Sequence, residues 1–211
     1  GMWQFMPATA RRYGLRIDNY VDERRNWEKS TQAAVAYLTD LYNMFGEWPL
    51  AVSAYNMGEG GMDRVIASAG GEKDLFKILD STIGQRHMHR ETQKFYPKLA
   101  ASIIVASAPE RYGFEVEPEQ LPNYVRMPVK GSFSLNELDS ACGLDRGTLA
   151  ELNPDLVRGV TPPSGEFMLA VPLESSERFI TALAEVRESK RGSVQFASAP
   201  SSTRSSSSSS S

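Results

Sequence analysis

A single cysteine, Cys142, stands among the 211 residues, so the chain closes no disulfide within itself and cysteine content does not decide its compartment. Its setting, Leu138-Asp139-Ser140-Ala141-Cys142-Gly143-Leu144, has helical spacing, and the thiol is expected as a small buried hydrophobe. An excess of charge of one sign is missing too. The formal net charge is -3, and Lys and Arg are scattered apart from the pairs Arg11-Arg12 and Arg24-Arg25. That excludes the basic stripe of a nucleic-acid binder, and no nucleic-acid partner is expected. Long apolar runs are missing: nothing approaches the ~18–20 residues of a membrane helix. The longest candidate, Leu99 to Ala108, is interrupted by Ser102 and Ser107. No signal peptide is visible, which says nothing about export if residues are missing ahead of Gly1.

What is present is 41% hydrophobic, enough to form a core in one or two domains. Three regions separate. Residues 1–112 read as helical. Pro7 to Tyr13 is a short helix stopped by Gly14, and Leu15 to Trp27 reads as a loop. Ser30 to Phe45 carries Ala33, Ala34, Tyr37, Leu38, Leu41, Tyr42 and Phe45 at helical spacing, ended by Gly46. Trp48 to Tyr55, Met62 to Ala69, Leu75 to Leu79 and Glu91 to Ala108 are further helices. The last is expected to turn Phe95 or Tyr96, Leu99, Ile103 and Ala106 inward.

Residues 122–188 read as a mixed unit: strand Tyr124 to Val129, a helix capped by Ser134 with Glu137 three residues on, a second helix opened by Asp145 or Arg146, and strand Phe167 to Pro172. Glu177 to Val186 adds a helix. Residues 189–211, ending in an unbroken serine run from Ser205, bury too little apolar surface to order and read as a disordered linker.

Chemistry concentrates in two short segments. Gly1-Met2-Trp3-Gln4, followed by Pro7 and Thr9, offers an aromatic face and an amide. Ala54-Tyr55-Asn56-Met57-Gly58 offers the same about fifty residues on, ahead of a glycine-rich turn that lets a ligand approach backbone closely. Aromatic faces and amides are what a sugar-polymer cleft needs, together with a carboxyl group of raised pKa. Glu59 is the nearest carboxyl, but in a solvated turn it has no cause for a raised pKa, and Glu47 and Glu28 read as surface charges. His87-Met88-His89 with Glu91 lacks a fourth ligand, and no metal is expected.

The two segments resemble signature motifs of the goose-type-lysozyme-like lytic transglycosylases, most like the membrane-bound murein transglycosylase D branch. Trp3 stands where many members have Met. The resemblance implies that Gln4 hydrogen-bonds sugar, that Tyr55 points its hydroxyl toward the catalytic glutamate, and that Asn56 and Trp3 line the cleft. Asp22-Glu23-Arg24 and the helix through Tyr37 also look like the family and read as structural. A fourth element is Glu91-Thr92-Gln93-Lys94-Phe95-Tyr96-Pro97-Lys98. Many members carry Tyr where this chain has Phe95, so the substrate-binding role passes here to Tyr96. The second region resembles a LysM-like βααβ module through Ser134-Leu135-Asn136-Glu137-Leu138, Leu152-Asn153-Pro154-Asp155-Leu156 and Pro162-Pro163-Ser164-Gly165.

The implied fold is mainly α, a lysozyme-like helical domain followed by a small α+β LysM-like module and a disordered tail. The implied activity is cleavage of the MurNAc–GlcNAc β-1,4 bond of peptidoglycan with 1,6-anhydromuramoyl ends, without metal or other cofactor. Family members place the catalytic glutamate a dozen or more residues ahead of the Gly1 position, so no catalytic residue is expected inside the chain, and the 211 residues are expected to be truncated and inactive. A peptidoglycan-binding scaffold is the alternative. Periplasm or outer membrane of a Gram-negative bacterium follows from the substrate, with membrane association only through a missing anchor.

Overall fold

A stripe of small and aromatic residues organises the first half of the chain. In the computed structural model, which describes residues 1–117, 119 and 121–197 (without side chains from 191 onward), Asn26 caps helix α2 (Trp27–Phe45; α1 is Pro7–Arg12) by accepting the Lys29 N–H at 3.1 Å. One face of α2 buries Ser30, Ala33, Ala34, Tyr37, Leu41 and Phe45. Gly46 ends it in the left-handed conformation. Helix α3 (Trp48–Met57) is buried through Leu50, Ala51, Val52, Ser53 and Ala54. Its small residues let α2 and α3 come close, and Leu41 and Leu50 are fully buried, each stabilising by roughly 1.5–3 kcal/mol. Helices α4 (Glu59–Ser68), α5 (Leu75–Asp80), α6 (Thr82–His87) and α7 (Arg90–Ser107) complete the unit. This unit comprises Gly1–Ile17 and Asp22–Leu121.

One helix is added here and two expectations change. Thr82–His87 is helical, capped by Ser81 accepting the Gly84 N–H. Gly84 is required by packing: a β-carbon there would lie 2.1 Å from the Ile78 carbonyl oxygen. Glu59 opens α4 instead of sitting in a turn, because the turn is confined to Gly58, whose φ of 86° and ψ of 145° suit glycine almost alone. The C-terminal half of α7 does not turn inward: Thr92 is its buried residue, while Leu99 and Ile103 are 41% and 56% exposed and Ala106 is exposed. Helix α3 and the short 3₁₀ turn Pro109–Tyr112 pack most closely against α7, and Leu99 and Ile103 stay uncovered.

The second unit joins Asp18–Val21 to the chain from Pro122. Strands β1 (Tyr124–Lys130) and β2 (Glu166–Pro172) pair antiparallel, Met127 opposite Leu169. Between them lie α8 (Leu135–Cys142) and α9 (Thr148–Leu152). The order is the βααβ expected, with α9 starting at Thr148 after Gly147 instead of at Asp145 or Arg146. The cause is Asp139, fully buried, which accepts the backbone N–H groups of Gly147 at 2.8 Å and Leu149 at 3.0 Å and so supplies the cap that Gly147 cannot. Asn153 has an equivalent task. Its amide donates to the carbonyls of Leu149 and Ala170 and accepts the Ala170 N–H, all at 2.8 Å, fastening β2 to α9. Cys142 lies in the core with Leu138, Leu149, Leu169 and Phe179, and burial pushes its thiol pKa up.

Helix α10 (Ser176–Ala197) extends past the expected end of this region, so residues 189–197 are helical where disorder was expected. Lys190 explains the extension in part: its ammonium donates to the Ser132 carbonyl at 3.0 Å, pairs with Glu137 at 3.4 Å and sits 4.8 Å from the Phe133 ring centre. The expectation of disorder from 198 to 211 lies outside the described residues.

Candidate functional site: an aromatic cleft in the helical unit

The N-terminal segment is fastened from below before it forms any surface. Arg24 donates to both oxygens of Asp22, at 2.9 and 2.7 Å, and to the Phe5 carbonyl at 3.0 Å. Hydrogen bonding from Arg24 holds the Asp22 carboxyl below its usual range. Phe5 lies against Tyr37 and Tyr55 at 6.3 and 6.0 Å, and Tyr37 meets Tyr55 at 5.1 Å and Tyr13 at 5.0 Å. This aromatic floor carries the motif residues above it.

Trp3 is fixed at both ends. Its indole N–H donates to the Thr31 hydroxyl of α2 at 2.8 Å, and its carbonyl accepts the Tyr55 hydroxyl of α3 at 2.8 Å. Tyr55 therefore spends its hydroxyl on the Trp3 backbone, and burial raises its pKa to about 12. Gln4 has a left-handed backbone, φ 51°, and its amide nitrogen donates to the Gly1 carbonyl at 2.7 Å. Asn56 is oriented by Thr92 of α7, a buried hydroxyl that donates to Oδ1 at 2.7 Å. That contact leaves the Asn56 Nδ2 group without a protein acceptor among the described residues.

Trp3, Gln4, Tyr55 and Asn56 line one cavity of about 440 Å³, with Glu91 and Phe95 from α7. The four motif residues, split between the two sequence segments, are thus brought together. A neighbouring cavity of about 360 Å³ shares Gln4, Tyr55 and Asn56 and reaches Tyr37 and Glu59. Tyr96 is not brought in. It packs, half-buried, against the core and edge-on to Phe76 at 6.2 Å, and its neighbour Phe95 faces the cavity instead.

Glu59 is held as an anion. Its oxygens accept from Tyr37 at 2.9 Å and Arg12 at 2.8 Å. Its own backbone N–H first, then the Tyr37 hydroxyl and Arg12, depress its pKa below the usual carboxylate range, while burial pushes Tyr37 well up. A group so held accepts hydrogen bonds and does not donate a proton near neutral pH. Sequence reasoning missed the oriented pair Thr92–Asn56 and the wall formed by Glu91 and Phe95. The signal available was the helical spacing of Glu91, Thr92 and Phe95, three and four residues apart.

Residues 1–77 match the transglycosylase SLT domain, and residues 123–188 match the LysM-like domain of lytic transglycosylase MltD. The chain therefore carries an SLT domain followed by an MltD-type LysM-like domain. It is 28% identical over 188 residues to the membrane-bound lytic murein transglycosylase D of Escherichia coli (strain K12), covering 87% of this chain and 40% of that protein. The figures are the same for the protein of that name from E. coli O6:H1 (strain CFT073). The chain thus spans 40% of the length of these relatives. The SLT match takes in Trp3, Gln4, Tyr55 and Asn56 but ends before Glu91 and Phe95. Among the described residues no helix is long and apolar enough to cross a membrane.

Proposed function

We propose that the helical unit is the glycan-holding part of a peptidoglycan lytic transglycosylase cleft. The observation that carries this reading is the single cavity walled by Trp3, Gln4, Tyr55 and Asn56. Trp3 and Tyr55 offer aromatic surface to pyranose rings. Gln4 and the Nδ2 of Asn56 offer amides to hydroxyl and acetamido groups. Tyr96 has no part in it.

The reaction proposed is cleavage of the MurNAc–GlcNAc β-1,4 bond. A carboxyl group protonates the glycosidic oxygen as the C1–O bond breaks. The resulting carboxylate then takes the proton of the muramoyl C6 hydroxyl, whose oxygen bonds to C1 and closes the 1,6-anhydro ring. No water is consumed and the carboxyl is regenerated. Glu59 does not fill this role, because Tyr37 and Arg12 keep it charged. The acid is assigned to none of the 211 residues, so they are proposed to bind glycan without cutting it. The LysM-like unit is proposed as a second peptidoglycan contact. Such a substrate sets the place of action in the periplasm or at the outer membrane.

Incubation of the 211-residue chain with purified murein sacculi, followed by mass spectrometry of the soluble products, tests both parts. The expected result is retention on the sacculi with no 1,6-anhydromuropeptides above a protein-free control. Anhydro products would overturn the assignment of the acid, and loss of retention would overturn the glycan reading.

A further inference from the structure

Beside the aromatic cleft lies a larger and more polar basin of about 750 Å³. It meets the cleft at Asn56 and Glu91, which line both. Three cationic or ionisable side chains from separate segments converge on it: Arg64 of α4, His87 at the end of α6, and His89 in the link before α7. None of the three has a hydrogen bond or ion pair with another described residue. Elsewhere in this unit the cations near the cleft are matched, Arg12 by Glu59, Arg24 by Asp22 and Lys29 by Glu23. Glu91 is the one carboxylate in the basin wall, and it stands on the side shared with the cleft. Unmatched donors gathered in a concave polar site are arranged to receive an anion from outside.

We propose that this basin seats a carboxylate of the peptide branch of a bound peptidoglycan strand, with Arg64 as its main partner and His87 and His89 beside it. The inference rests on the reading of the cleft as a glycan site. A peptidoglycan strand carries a peptide with free carboxylates on alternate sugars. With sugar rings in the cleft, a branch leaving beside Asn56 enters the basin directly. Arg64 then forms a two-pronged contact with the carboxylate, a geometry suited to guanidinium. The basin thereby distinguishes peptide-bearing strands from bare ones.

The test is calorimetric titration of the 211-residue chain with two probes, chitotetraose, which has no carboxylate, and a muropeptide tetrasaccharide with intact stem peptides. Arg64→Gln is expected to weaken the muropeptide about tenfold, the loss typical of one charge-assisted contact. Chitotetraose binding is expected to stay within about twofold. His87→Gln with His89→Gln should shift the muropeptide in the same direction by less. Muropeptide with amidated carboxyls should bind the wild type as the unmodified form binds Arg64→Gln. Unchanged muropeptide binding by Arg64→Gln, or equal weakening of both probes, overturns the basin assignment while leaving the cleft reading intact. Failure of the wild type to bind either probe overturns both.

Discussion

Replacing Thr92 with valine removes one hydroxyl and almost nothing else. The hydroxyl is buried and donates to Asn56 Oδ1 at 2.7 Å, the contact that turns Nδ2 outward. Without it, a partly buried amide oxygen loses its partner, at a cost of about 1–2 kcal/mol in stability of the helical unit. The larger consequence is orientation. Asn56 is freed to rotate, and its donor is no longer held where the cleft and basin meet. Chitotetraose affinity is expected to fall about fivefold to tenfold, equivalent to ~1–1.4 kcal/mol. Thr92→Ser is the matched control. It keeps the hydroxyl and deletes a buried methyl, costing ~0.8 kcal/mol of stability with little change in binding. Urea denaturation reads the first quantity and calorimetry the second. Wild-type affinity in Thr92→Val, or equal loss of affinity in both variants, would refute the claim that the hydroxyl acts by orienting Asn56.

Glu59→Gln should change the acid limb of the stability profile. The folded pKa of Glu59 is depressed, so its charge stabilises the wild type above the ordinary carboxylate range, and that advantage is lost as pH falls through the folded value. The effect is small because Arg12 faces solvent, and melting temperatures of the two proteins should differ near neutral pH and converge in acid; a constant gap would refute the pairing. Asn153→Ala should destabilise the LysM-like unit by about 2–4 kcal/mol, since the Ala170 N–H and two carbonyls lose their partner in a buried site. A chemical-denaturation loss below about 0.5 kcal/mol, the range of ordinary surface changes, would rule that account out.

The helices of the first unit were legible where an apolar stripe coincides with burial, as in α2, whose Ala33, Ala34, Tyr37, Leu41 and Phe45 read the same way in sequence and structure. In α7 periodicity misled, because a pattern of apolar residues states which face is apolar and not whether anything covers it. Glycine misled at the expected turn, since Gly60 and Gly61 belong to α4, and Gly84 is a close-contact residue inside a helix. The choice between Phe95 and Tyr96 needed the helix phase, since one residue is about 100° of rotation. The residues that share the cavity were legible as motif, whereas Thr92 and Arg64 carried no such signal and His87 stood out only as a metal candidate. The contacts that matter join neighbours distant in sequence, as the 36-residue separation of Thr92 and Asn56 illustrates.

Gln4 is the one non-glycine residue with a left-handed backbone among those described. For an ordinary side chain that conformation costs roughly 1–2 kcal/mol, a cost glycine escapes. Selection for thermal tolerance alone would therefore drift toward glycine at position 4, whereas selection for sugar retention would hold the amide in place. Parallel libraries of this chain under those two pressures would diverge at this codon first, and the residue that survives would report which pressure maintained the natural sequence.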